Sequence, residues 1–277
     1  MNFSISDILS YTFMQRALIV GIPVALCAAL LGVSLILKRY SMIGDGLSHV
    51  GFGALALAAA MNLAPLQVAI PVVVIAAFFL LRISENSKIN GDGAVAMVSS
   101  SALAIGIVVT SVTGGLNTDL YSYLFGSILA LSASDVTLSL VLCGVVLFLY
   151  IFFYNKIFSV TFDEGFSRAT GTNSKAYNMI IALLTALTVV LGMQIMGTLL
   201  ISSLIIFPGL TAMRIFKSYK GVVISAAVQS VVCVIAGLII SFYSETASGA
   251  TVVCVNLLCF IIFQIISFVK SVIGRTR

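Results

Sequence analysis

The sequence predicts an all-α polytopic membrane protein, a bundle of about eight or nine transmembrane helices that forms one domain over residues 1–277. Composition comes first: 61% of the 277 residues are hydrophobic and 8% are charged, with a mean hydropathy of +1.21, whereas soluble domains carry about 25% charged residues. Fourteen Lys and Arg with nine Asp and Glu cannot cover a soluble globule of this size, which excludes a water-soluble enzyme or a nucleic-acid binder. Apolar runs near the ~20 residues that a spanning helix needs recur along the chain, and the basic residues fall into alternating connections between them.

The runs occupy 17–37, 46–61, 66–83, 94–113, 136–154, 177–193, 196–213, 222–242 and 251–269. Those at 46–61 and 177–193 are short, and the stretch 116–131 is a candidate for dipping back into the bilayer. Glycine crowds the start of the second run at Gly44, Gly46, Gly51 and Gly53. Small residues let helix backbones approach where lipid offers no hydrophobic drive, and they also suit an unwound segment lining a path. Both readings are open at this level.

Charge placement tests the count. With Lys38 and Arg39 inside and the spans alternating, the inner set also holds Arg82, Lys88, Lys156, Arg168, Lys175, Arg214, Lys217, Lys220, Lys270, Arg275 and Arg277. That is 13 of the 14 basic residues, and only Arg16 stands apart. The outer connections carry Asp119, Asp135 and Glu245 instead. Cys27, Cys143, Cys233, Cys254 and Cys259 show no CxxC spacing and read as small core hydrophobes. Asp7 interrupts the N-terminal segment, so no cleavable signal peptide is expected.

The inner connection 155–176 is longer than a turn. Phe158, Phe162 and Phe166 recur every four residues among Asp163, Glu164, Arg168 and Lys175, the pattern of a short amphipathic helix on the inner surface. A solvated connector fits the same pattern.

Ionisable groups are scarce within the spans, which sets apart Ser41-Met42-Ile43-Gly44-Asp45-Gly46-Leu47-Ser48-His49. Asp45 and the chain's single His, His49, stand at i and i+4, on one helix face. A carboxylate and an imidazole converging there suit a divalent first-row metal such as Mn²⁺, Fe²⁺ or Zn²⁺, whereas Ca²⁺ or Mg²⁺ would want more oxygen. Asp45 alternatively caps the helix N-terminus, with His49 as its hydrogen-bonded neighbour. The cost of an ionisable pair at a membrane-embedded helix end favours a functional role. Two ligands leave the site open, as a carrier that must release its metal requires. There is no phosphate loop, no G-x-S-x-G elbow and no H-E-x-x-H, so the chain is not expected to be an enzyme, and any ATP is hydrolysed by another polypeptide.

Over nearly its whole length the chain resembles the permease subunits of bacterial ABC importers for manganese, zinc or iron, the metal-permease family often called ABC-3. Asp45-Gly46-Leu47-Ser48-His49 matches the family's D-x-L-S-H signature. Further matches are Tyr123-Leu124-Phe125-Gly126-Ser127-Ile128-Leu129 with Ser134-Asp135, then Gly197-Thr198-Leu199-Leu200 through Ile206-Phe207-Pro208-Gly209-Leu210-Thr211-Ala212, then Ser248-Gly249-Ala250-Thr251-Val252. The resemblance implies a homodimeric permease in the bacterial inner membrane, a pair of cytoplasmic ABC ATPase subunits and an extracytoplasmic metal-binding lipoprotein. It implies that Asp45 and His49 lie on the path of a transported divalent metal, with no permanently bound cofactor and no nucleic acid. Residues 155–176 are similar to the family's ATPase-coupling segment, which places Asp163, Glu164, Ser167 and Gly171 in that role; the family's usual Pro-Glu after the Asp is here Glu164-Gly165. An ATP-independent secondary carrier or channel is the alternative from a different class.

Overall fold

A computed structural model of the chain describes residues 10–86, 91–113, 126 and 133–275. Among these residues there is no strand, and the helices are α1 (Thr12–Leu37), α2 (Ser41–Ala60), α3 (Pro65–Asn86), α4 (Gly91–Val112), α5 (Ala133–Phe152), α6 (Tyr154–Phe162), α7 (Glu164–Ala169), α8 (Ser174–Met196), α9 (Thr198–Met213), α10 (Tyr219–Ser244) and α11 (Ser248–Arg275). Eight of them are long and apolar enough to cross a membrane, and α9 is a shorter apolar helix. At 1.5 Å per residue its 16 residues span roughly 24 Å.

Helix directions follow from close approaches. Gly32 meets Ile205, and Gly209 meets Ile36 and Val33, so α1 and α9 run parallel. Gly44 meets Ile205 and Ser48 meets Ser202, so α2 runs antiparallel to both. Gly46 meets Val95 and Gly53 meets Ala102, which makes α2 and α4 parallel neighbours. The reversal between α8 and α9 rests on Gly197 alone, at φ 86° and ψ 159°, a region that only glycine occupies at low cost.

α1 is the central post, packed by α5, α8, α9 and α10. Ala17, Val20, Val24, Ala28 and Leu31 are buried along it. At one end of the bundle Lys38 pairs with Glu164, Ser34 meets Tyr219 and Ser267 bonds the Arg214 carbonyl. The basic residues of the inner set that lie in described turns gather there, as the alternation of charge predicts. Arg16, four residues into α1, sits toward the opposite end.

Two expectations change at this level. The second span starts earlier than its apolar run, at Ser41 rather than Gly46, so Asp45 lies inside a helix. The inner segment is two short helices rather than one. Asp163 breaks the run with extended backbone, φ −145° and ψ 96°, and caps α7 by accepting from the Phe166 N–H at 2.8 Å. The motif at Tyr123–Leu129 is represented only by Gly126, and the remainder of it, like Asp119, the 116–131 dip, Lys88 and Arg277, lies outside the described residues.

Candidate functional site

α2 begins after Tyr40, whose side chain makes no capping hydrogen bond. Asp45 is the fifth residue of the helix, beyond reach of the free N–H groups of the first turn, so capping does not explain it. The glycines around it mediate close packing in a continuous helix. A Cβ on Gly44 would strike the Ile205 side chain, and one on Gly53 would come within 2.8 Å of the Ala102 carbonyl oxygen. These contacts fix α2 between α9 and α4 and set the height of Asp45 and His49 against α9.

One turn apart, the two side chains converge. His49 Nε2 lies 3.7 Å from Asp45 Oδ2, and their side chains are 24% and 37% exposed. That spacing is too long for a hydrogen bond. It is close to the roughly 3.0–3.6 Å that separates two ligands each about 2.1 Å from one cation. Ser202 on α9 donates its hydroxyl to Asp45 Oδ1 at 2.9 Å, and Ser48 donates to the Asp45 carbonyl at 2.7 Å. The carboxylate therefore has one oxygen held by protein and the other turned toward the imidazole. His49 Nδ1 is buried without a hydrogen-bond partner.

Nothing in the apolar pattern of the seventh run marked Ser202; a hydroxyl in a span reads as a small packing residue. Among the described residues no third His, Cys, Asp or Glu joins the pair. The arrangement holds one anionic oxygen and one imidazole nitrogen toward a shared point and leaves the remaining coordination positions open.

The inner segment is fastened to the same helices. Lys38, in the turn between α1 and α2, is 6% exposed and pairs with Glu164 at 3.5 Å, and Glu164 also pairs with Arg168. Burial pushes the Glu164 carboxyl up, but the opposing Lys38 and Arg168 charges outweigh it and hold the carboxyl below its ordinary range. Ser167 is buried and meets Ser159 at 2.7 Å, which folds α7 back onto α6. Gly171 closes α7 at φ 81°, in the left-handed conformation that glycine adopts after a helix end. Phe158 packs on Tyr219 with ring centroids 4.9 Å apart, and the Tyr219 hydroxyl meets Ser34 Oγ at 3.1 Å and the Tyr150 hydroxyl at 3.3 Å. Phe162 and Phe166 stay 68% and 64% exposed.

The model of the ABC 3 transport family matches residues 10–267. The chain is 30% identical over 246 residues to the high-affinity zinc uptake system membrane protein ZnuB of Haemophilus influenzae, covering 89% of this chain and 94% of that protein. It is 31% identical over 255 residues to the manganese transport system membrane protein MntC of Halalkalibacterium halodurans, covering 92% and 87%. Among solved structures, PsaBC from Streptococcus pneumoniae in complex with Fab superposes with a TM-score of 0.84 at 31% identity, over 94% of this chain and 93% of that one.

Proposed function

The chain belongs to the ABC 3 transport family, and from that premise we propose that it moves a divalent first-row metal, manganese, zinc or iron, into the cytoplasm past Asp45 and His49. It is the multi-pass permease subunit of a bacterial metal ABC importer, in the inner membrane, and ATP is hydrolysed by a separate subunit. The observation that carries the reading of the site is the convergence of Asp45 Oδ2 and His49 Nε2 at 3.7 Å on a part-exposed face of α2.

Each side chain has its own task. Asp45 supplies the charge that draws a cation to this depth. His49 supplies a nitrogen ligand that favours a transition metal over Mg²⁺. Ser202 fixes the carboxylate rotamer, as residues behind metal ligands commonly do. A carboxylate 37% exposed on the flank of a single chain is costly against lipid tails, by about 2.5–3.5 kcal/mol at mid-span and less toward a helix end. A second copy covering this flank removes that cost and brings a second Asp45/His49 pair to the same cavity. One requirement thus supports both the homodimer and a metal held between its halves. With few protein ligands per chain and water completing the shell, the metal is bound transiently and passes on.

The inner segment, with Asp163, Glu164, Ser167 and Gly171, is the docking element for a cytoplasmic ATPase subunit. Its exposed Phe162 and Phe166 are suited to a partner, while Lys38–Glu164 and Phe158–Tyr219 carry its movement to the α1–α2 turn. Asp45 lies seven residues beyond Lys38, so closure of the ATPase pair shifts the helix that bears the ligands and alternates access to them. An extracytoplasmic metal-binding lipoprotein delivers the ion at the opposite end.

The test is uptake by His49→Ala and Asp45→Asn at normal membrane levels. Both are expected to abolish manganese and zinc uptake while the dimer still assembles. Normal uptake by either variant would remove these residues from the path.

A further inference from the structure

We propose that a groove between α10 and α11 binds one anionic phospholipid of the leaflet at the basic end of the bundle. The groove has a volume of about 470 Å³ and is lined by apolar side chains, among them Ile224, Val228, Val232 and Phe263, with Ser225 and Gln229 on its floor. Ile224, Val228 and Val232 are exposed, so this surface faces the hydrocarbon. From Gly221 to Val232 the groove descends roughly 16 Å along α10, about half of a ~30 Å hydrocarbon core. An acyl chain of one leaflet has that reach.

The groove ends at Phe216 and Gly221, and Lys217 and Lys220 adjoin these two residues in sequence. Arg214, Lys217 and Lys220 are exposed within seven positions of chain, and no acidic residue lies between 214 and 221. Arg214 sits over the Phe260 ring at 5.9 Å, on the α9 side of α11, where Phe260 also meets Phe207, so the two lysines are the cations nearest the groove in sequence. Basic residues so placed attract anionic lipid.

Gln229 gives the site its second polar level. It is 7% exposed, and neither its Nε2 nor its Oε1 has a hydrogen-bond partner. A buried unpaired amide is costly, and the residue that carries this one lines the groove, with the amide just beneath its surface. Helical side chains lean toward the helix N-terminus, here the basic end, so the Gln229 amide lies over the turn of Ser225, roughly 6 Å below Gly221. A phosphate at the mouth places the glycerol ester carbonyls at that level, where they accept from Nε2 once the amide, closed off from the surface in the lipid-free chain, turns into the groove. Charge at the mouth, an amide one layer down and an apolar trough beneath match headgroup, ester and chain in order.

Native mass spectrometry of the purified full-length permease, titrated with dioleoyl phosphatidylglycerol or dioleoyl phosphatidylcholine, tests this. The wild type is expected to retain phosphatidylglycerol at least tenfold better than phosphatidylcholine. Exchanging two exposed lysines, K217Q/K220Q, is expected to lower phosphatidylglycerol affinity by about tenfold to thirtyfold. Gln229→Leu is expected to weaken the diester lipid and leave its diether analogue unchanged. Equal retention of the two headgroups by the wild type, or unchanged affinity in K217Q/K220Q, would overturn the proposal. Displacement of the lipid by millimolar inorganic phosphate would reduce the site to an anion patch and overturn it as well. Retention that is lost on dimerisation would assign the groove to a second copy of the chain instead.

Discussion

Ser202→Ala isolates the one member of the candidate site that acts through another residue. The Ser202 hydroxyl donates to Asp45 Oδ1 at 2.9 Å, and the Thr198 carbonyl, 3.1 Å away, is its other acceptor. A hydrogen bond to a charged group contributes about 1.5–3 kcal/mol, and changes behind metal ligands typically cost about 10–100-fold in affinity. Asp45 is 37% exposed, so water takes over part of the role, which places the loss at the lower end, about 1.4 kcal/mol or tenfold. The direct reading is Mn²⁺ titration of the purified permease dimer, followed by the EPR signal of the free ion. A dissociation constant about ten times larger, with the dimer intact, is expected for Ser202→Ala, and Ser202→Thr should recover most of it. An unchanged constant would refute the idea that α9 orients the carboxylate.

Other perturbations read other parts of the molecule. Breaking the Lys38–Glu164 pair with Lys38→Met is expected to cost about 1–2 kcal/mol, reduced from the usual cost of a buried pair because Glu164 is 33% exposed. Stimulated ATP turnover of the assembled transporter should fall, and the exchange K38E/E164K should restore part of it. The Glu164 carboxyl is held below its ordinary range, so its contribution is complete above the ordinary carboxylate pKa and is lost as pH falls through the lowered one; coupling should be flat from about pH 8 to pH 5 and decline only in stronger acid. Gly32→Ala would set a methyl against the Ile205 carbonyl and is expected to cost about 1–3 kcal/mol, seen as a Tm several degrees lower, whereas Gly144→Ala, with open space around it, should not lower Tm.

Much of the fold was legible in the amino-acid pattern, because spans obey a length rule and basic residues mark one side. Boundaries failed where polarity and structure part. Ser41–Asp45 looks like a connection by composition, yet it is helical because the glycines on α2 admit α9 and α4 at close range. The runs at 177–193 and 196–213 read as two spans with almost no connection, and the reason is a reversal made at one residue, Gly197, with positive φ. The phenylalanine spacing in 155–176 promised one helix, but a side-chain cap by Asp163 competes with helix continuation there. Spacing alone placed Asp45 and His49 on one face, since that is a local relation. Ser202 is 157 positions from Asp45, and its place depends on the antiparallel packing of α2 on α9, which no local pattern encodes.

X-ray absorption at the metal edge of the manganese- or zinc-loaded permease, purified without its partners, bears most directly on the site. His49 is the only histidine in the chain, so any imidazole scattering reports on that residue or its symmetry mate. The expected spectrum has a nitrogen and oxygen shell near 2.0–2.2 Å with an imidazole signature that vanishes in His49→Ala. A metal shell without imidazole in the wild type would contradict the assignment.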